Sequence, residues 1–261
     1  MGIVNVTPDS FSDGGRWLDS QTAIRHALKL QEEGADILDV GGESTRPGAV
    51  AVSAGEEIRR VLPVIEALVA HGCVVSVDTK KPEVMRAALD AGAAMVNDVT
   101  ALRAPGALEM LAASDAAVCL MHMQGEPQSM QRAPSYIDVV EEVMGFLQAR
   151  VLACEAAGMR RERLVIDPGF GFGKTLEHNL ALLKHLDRLA EAGVPVLAGL
   201  SRKAMLGTLT GRGVEMREFS GVAAHLAAVA RGARLVRVHN VAAMRDALII
   251  WNAVEEQRDG T

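Results

Sequence analysis

Three hydrogen-bonding residues, Asp78, Asn97 and Asp167, each stand at the end of a short apolar run. A carboxylate accepts two parallel N–H bonds and an amide both donates and accepts, so these three around one cavity would read the edge of a flat 2-aminopyrimidinone-like ring. The alternative is that each caps the helix after it, as Asp and Asn commonly do. Cations occupy comparable places. Arg202 and Lys203 follow Ser201, and Arg237 and His239 flank Val238. Residues two apart in a strand project to one side, as a clamp on a single anionic group requires. Against this, Arg237 would simply pair with a core acid and His239 would cap the last helix. Asn5 belongs with these residues if the first and last strands are neighbours. Thr45-Arg46-Pro47-Gly48 holds a cation on rigid turn residues beside the Ser44 and Thr45 hydroxyls, which suits an anionic substrate.

Other motifs carry less. The run from Asp167 through Gly169, Gly171, Gly173 and Lys174 to Thr175 looks like a nucleotide phosphate loop, but the glycine required five residues before the Gly-Lys pair is Pro168. It reads instead as a flexible turn that carries Phe172 toward the site, with Lys174 on the surface. Met121 and Met123, on either side of His122, are soft walls for a flat ring or filler of the fold. Cys73, Cys119 and Cys154 are an odd, widely spaced set that fits neither a disulfide framework nor a zinc pattern and reads as small core residues. His178 and His185 lie seven apart, which does not make a helical metal pair.

The elements that must position these residues are legible as a repeat. Eight apolar runs end in polar or glycine-rich clusters, from GIVNV at residues 2–6 to RLVRV at 234–238. Helical periodicity follows each, over 20–33, 53–70, 82–91, 105–113, 135–157, 176–190, 215–231 and 241–255. Ser20 and Ser53 read as N-caps, the latter with Glu56 in a capping-box pattern, and Gly34, Gly92, Gly158, Gly193 and Gly232 as helix ends. Continuous rather than alternating apolar strands belong to a parallel sheet covered on both faces. Eight such units predict an α/β fold, a single (β/α)8 TIM-type barrel spanning residues 1–261 as one domain, in preference to a doubly wound open sheet. In a closed barrel the strand ends converge, so residues from Asn5 to His239 meet in one pocket. Two long loops, 7–16 with Arg16 and 41–52 with Arg46, read as lids.

Composition excludes several classes. With 49% hydrophobic and 23% charged residues, the chain of 261 residues is ordinary and globular. A net charge of -6 argues against a nucleic-acid binder, so any anionic ligand is held by local cations. No apolar run reaches the roughly 18 to 20 residues of a membrane span, and no export signal is visible, which predicts a cytoplasmic protein.

The clusters in their order resemble the dihydropteroate synthases, which join a pterin to para-aminobenzoate. The resemblance rests on NVTPDSFSDGG at 5–15, DVGGESTRPGA at 39–49, VDTKKPEV at 77–84, MVND at 95–98, LMHMQG at 120–125, IDPGFGFGK at 166–174, GLSRK at 199–203 and RVHN at 237–240, nearly the whole chain. It implies a TIM-type barrel, usually a homodimer, that uses dihydropterin hydroxymethyl diphosphate and para-aminobenzoate with Mg2+ on the diphosphate. By motif, Asp78, Asn97, Asp167 and Lys203 would bind the pterin edge, Arg237 would stack on its face, and Met121 and Phe172 would complete the pterin pocket. Asn5 would ligate magnesium. Asn5, Thr45, Arg237 and His239 would surround the diphosphate, and Arg46, Pro47, Phe172, Ser201 and Lys203 would enclose para-aminobenzoate. Lys203, Asp78, Arg237 and His239 would carry catalysis by stabilising charge, with diphosphate leaving before the amine attacks.

The chain departs from the family pattern in Asn240, where relatives often have Asp and where orientation of His239 would weaken, and in Lys80. It also starts almost on its first strand, where many relatives have an extra strand or hairpin, which would leave the barrel floor less covered. Two rivals resemble the same barrel: a methyltransferase acting from methyltetrahydrofolate to a corrinoid protein, and a non-catalytic pterin-binding scaffold. The Thr45–Gly48 segment and Ser201-Arg202-Lys203 argue against the first, and the intact loops, lysine and His239 against the second.

Overall fold

Eight short strands, β1 (Gly2–Asn5), β2 (Leu38–Gly41), β3 (Val75–Asp78), β4 (Met95–Asp98), β5 (Ala117–Met121), β6 (Leu164–Asp167), β7 (Val196–Ala198) and β8 (Ala233–Val236), form one curled parallel sheet in sequence order. The computed structural model describes residues 1–7, 15–44, 51–126 and 129–258, with side chains for 1–7, 20–44, 51–126 and 129–256. Beyond β8, Val238 makes a parallel bridge with Gly2, the Ile3 amide donates to the Val238 carbonyl at 3.0 Å, and the Val238 amide donates to the Met1 carbonyl at 3.0 Å.

The strands are continuous apolar runs because both faces are covered. One face turns inward, where Met95, Cys119, Val165 and Leu197 pack together. The other meets the helices in a larger core that includes Val77, Val96, Leu120, Leu164 and Ile166, together with Cys73 and Cys154. All three thiols are free and buried, as small core residues should be.

The helices are α1 (Gly15–Glu32), α2 (Ala54–Ala70), α3 (Pro82–Asp90), α4 (Ala107–Ala112), α5 (Val139–Ala156), α6 (Leu176–Lys184), α7 (Leu186–Ala190), α8 (Ala204–Thr210), α9 (Glu218–Val229) and α10 (Val241–Arg258). Ser53 caps α2 as expected, its hydroxyl accepting from the Glu56 amide at 3.2 Å. Ser20, expected as a cap, instead lies inside α1, which begins at Gly15 and takes in Arg16. The helix expected over 176–190 is broken at His185, whose φ of -110° and ψ of 30° separate α6 from α7. The cap of α5 is Asp138, whose carboxylate accepts from the Val140 and Glu141 amides, so the helix starts later than 135. A short extra helix, α8, precedes α9. Thr45, Arg46 and Pro47 lie outside the described residues, as does most of the first long loop.

Candidate active site

The strand register sets the floor of the site. Asn5 pairs with Gly41, Gly41 with Asp78, and Asp78 with Asn97, so the carboxyl ends of β1 to β4 form one row. With a side-chain period of two, Asp39 lies on the same side of β2 as Gly41, one layer deeper. Gly41 has no side chain, which leaves the Asp78 carboxylate and the space above Asp39 open. The Arg237 guanidinium fills that space. Its Nε donates to Asp39 Oδ2 at 2.5 Å and its Nη2 to Asp78 Oδ2 at 2.7 Å. Asn97 Nδ2 donates to the same Asp39 oxygen at 3.0 Å.

Asp39 is fully buried, and its Oδ1 and the Oδ1 of Asn97 have no hydrogen-bond partner among the described residues. A buried carboxylate is tolerated only when paired, and Arg237 supplies the pairing. Asp39 belongs to the cluster although it stands inside a strand rather than at its end. An acid inside the run DILDV, two residues before a glycine on the inward face, was the available signal. Pairing of Arg237 with a core acid therefore occurs, and it draws Asp78 into the same cluster.

Burial pushes the Asp78 carboxyl up to about 7, with Arg237 working against the rise and Asp39 adding to it. Burial also opposes the charge on Arg237, but Asp39 and Asp78 together hold its guanidinium more firmly protonated than usual. Asp167, across β5 and β6 from Met121, is buried and accepts from the Gly169 amide at 2.7 Å. Its carboxyl is raised by burial, and Lys203 and Lys174 are among the groups that oppose the rise. The Lys203 ammonium lies 4.1 Å from the centre of the Phe172 ring, a cation–π arrangement. Burial lowers it to about 8, against the attraction of Asp167.

The helix-capping alternative does not hold, because α3 is capped at Lys81, α4 at Gly106 and α6 at Thr175. Asp98, the neighbour of Asn97, fastens the turn after β4, accepting from the Thr100 and Leu102 amides at 2.7 and 2.8 Å. His239 does not cap α10. Its Nδ1 lies 2.9 Å from Ser201 Oγ, and Asn240 Oδ1 accepts from the Ala243 amide at 3.0 Å instead. Ser201 therefore orients His239, and the asparagine at 240 serves the helix. Met121 is buried among Val99, Met123, Met130 and Phe172.

Lys174 corrects the sequence reading most sharply. It is 3% exposed rather than on the surface, and its Nζ lies 3.0 Å from His122 Nδ1 and 3.0 Å from the Gly169 and Phe172 carbonyls. The glycines of this loop have a steric cause. A Cβ at Gly169 would stand 2.0 Å from the His122 carbonyl oxygen, and one at Gly173 would stand 2.4 Å from that of Gln124. They let the β6 loop lie flat on the β5 loop, backbone against backbone, so the segment is a fastened strap rather than a flexible turn.

A second, partly buried cluster joins the end of β2 to α2 and the start of α3. Lys81 Nζ pairs with Glu43 at 2.7 Å and with the buried Glu57, and Glu43 also accepts from the Val52 amide at 2.8 Å. Among the described residues, no group of three or more His, Cys, Asp or Glu side chains forms a metal cage.

Comparison with known proteins places the chain in a family. The family model described as pterin binding enzyme matches residues 1–239. The dihydropteroate synthase of Neisseria meningitidis serogroup C is 54% identical over 259 residues, covering 97% of this chain and 92% of its own. The Xanthomonas albilineans dihydropteroate synthase solved with 4-aminobenzoic acid superposes with a TM-score of 0.92 at 60% identity, covering 97% of this chain and 92% of the other. The same enzyme in complex with 7,8-dihydropteroate gives a TM-score of 0.88 at 57% identity, with the same coverage. The chain belongs to the pterin binding enzyme family, among its dihydropteroate synthases.

Proposed function

We propose that the carboxyl-end cluster binds 6-hydroxymethyl-7,8-dihydropterin diphosphate and para-aminobenzoate and joins them. The protein is a transferase of folate biosynthesis: the pterin-methyl carbon loses its bond to diphosphate and gains one to the amine, giving 7,8-dihydropteroate, diphosphate and a proton. The observation that carries the assignment of residues is the Arg237 guanidinium between Asp39 and Asp78 with the unpaired Asn97 Oδ1 beside it. Such a floor offers acceptors to an amino-pyrimidinone edge and a flat cation to its face. Asp78, Asn97, Asp167 and Lys203 bind the pterin edge, Arg237 stacks on the ring, and Met121 and Phe172 wall it. Thr45, Arg237 and His239 surround the diphosphate with Asn5. Arg46, Pro47, Phe172, Ser201 and Lys203 enclose para-aminobenzoate.

The reaction follows from charge. The acidic floor favours positive charge on the pterin-methyl carbon as diphosphate departs, and the amine then attacks the resulting cation. Arg237 and His239 hold the departing diphosphate, and the loops exclude water that would capture the cation. No protein nucleophile is required. The donor set suits Mg2+ held mainly by the substrate, since that ion is commonly bound through few protein oxygens plus phosphates, and Asn5 contributes one amide oxygen. When bound, Mg2+ supplies neutralisation of diphosphate charge.

The parallel bridge between Gly2 and Val238 supports a sheet closed into a (β/α)8 barrel, with residues 1–261 as one domain. Exposed apolar residues on α8 to α10 support a homodimer. Three free thiols fit a reducing compartment, the cytoplasm. No helix among the described residues is long and apolar enough to cross a membrane.

The test mixes protein, Mg2+, pterin diphosphate and para-aminobenzoate and follows diphosphate and dihydropteroate together. Stoichiometric formation of both is expected. Pterin binding without turnover would leave the non-catalytic scaffold, and methyl transfer from methyltetrahydrofolate would favour the corrinoid-dependent rival.

A further inference from the structure

We propose that Lys174 is a positioning residue whose buried side chain fixes both the Asp167 carboxylate and the Phe172 ring, and so sets the geometry of the two substrate pockets at once. The proposal rests on the pocket assignments above. A lysine ammonium has three N–H groups and no acceptor. Here four acceptors surround it: the Gly169 and Phe172 carbonyls at 3.0 Å, His122 Nδ1 at 3.0 Å and the His122 carbonyl at 3.4 Å. Among the described residues no carboxylate lies within ion-pair distance of it, and its contacts are chiefly to backbone carbonyls. Burial pushes His122 down to about 3, so its ring is neutral and Nδ1 is free to accept from the ammonium.

Two chains of contact run outward from this point. Gly169 accepts from Lys174 through its carbonyl and donates through its amide to Asp167 Oδ1, which ties one carboxylate oxygen to the strap. The other Asp167 oxygen stays available to a ligand. Phe172 accepts from Lys174 through its carbonyl, and its ring carries the Lys203 ammonium. His122 follows β5 directly, so the lysine also couples the β5 loop to the β6 loop. Burial lowers the Lys174 ammonium to about 7, with Asp167 the main opposing influence, which ties its charge to the carboxylate it positions.

The experiment replaces Lys174 with Met, which keeps the length and apolar stem and removes every N–H. Amide hydrogen exchange over residues 169–173 is read first, because it needs no activity. Exchange about tenfold faster there, with β3 and β4 unchanged, is expected from a strap that opens locally. The catalytic reading is kcat/KM in a double-mutant cycle with Phe172→Ala. Lys174→Met alone should lower kcat/KM by about 10- to 100-fold, the scale of an ångström-sized misplacement. Phe172→Ala should then cost less in the Lys174→Met background than alone, because the ring is already displaced. Unchanged exchange, or kcat/KM within about twofold of the parent, would overturn the proposal, as would strictly additive effects. Should Lys174→Met fail to fold, His122→Leu removes one acceptor and the same exchange measurement decides. If the parent makes no dihydropteroate, the pocket assignments fail while the exchange result still judges the strap.

Discussion

In the proposed site, Asp78 and Lys203 have opposite requirements. An ionised Asp78 offers the pterin its full set of acceptors, and its carboxyl, pushed up by burial, ionises only as pH rises through about 7. Lys203 must keep its proton, and burial brings its loss down to about 8. The sign follows for each limb: kcat/KM rises as Asp78 ionises and falls as Lys203 is neutralised, giving a narrow bell between the two values. Steady-state kinetics from about pH 6 to about pH 9 test this, and a flat profile would contradict it. Lys203→Ala and Asp167→Asn should each lower turnover by about 100-fold or more, the loss typical of one strong preorganised contact, and parent-like rates in folded variants would remove them from these roles. Most of these side chains were legible because each stands where an apolar run ends. Asp39 and Lys174 were not. Asp39 lies within a strand rather than at its end, and the partners of Lys174 include His122, 52 residues away, which no local spacing encodes.

One cation ties the residues after β2 to α2 and α3. Lys81, at the start of α3, joins Glu43 beyond β2 to Glu57 of α2, and Glu43 reaches across to the Val52 amide. Glu57 is 1% exposed, so Lys81→Met leaves an unpaired buried carboxylate and costs on the order of 3 kcal/mol. A lower urea midpoint should accompany a several-fold higher KM for para-aminobenzoate, because Arg46 and Pro47, proposed to enclose it, come three and four residues after Glu43 in the chain, while pterin affinity holds. Adding Glu57→Gln to Lys81→Met should restore part of the stability. An unchanged KM in the single variant would detach the cluster from substrate binding. The strands were readable at this scale because helices cover one face and side chains fill the other, which makes them continuous apolar runs. Helix ends were less so. The break at His185 rests on one backbone conformation without a glycine or proline to announce it, and α8 hides in only seven residues after Lys203.

At the scale of the molecule, the helices after β7 and β8 keep an apolar surface that the fold itself does not use. α9 packs on both α8 and α10, and this group exposes Leu209, Phe219, Ile249, Ile250 and Val254, with Val214 and Met216 just before α9. Phe219 is 86% exposed and Ile250 67%. Such side chains support the proposed homodimer, since a self-complementary apolar patch on one chain generates a twofold pair. A charge in the middle of such a patch must lose its water on association without gaining a partner, which opposes pairing but leaves the monomer solvated. Phe219→Glu combined with Ile250→Glu should therefore convert a two-chain species to one chain in sedimentation velocity, with the fold retained by circular dichroism. None of the assigned pocket residues lies on these exposed positions, so kcat per chain should stay within about twofold if each subunit holds a complete site. A parent protein that sediments as one chain would refute the dimer, and a double variant that remains a dimer would place its interface on another face.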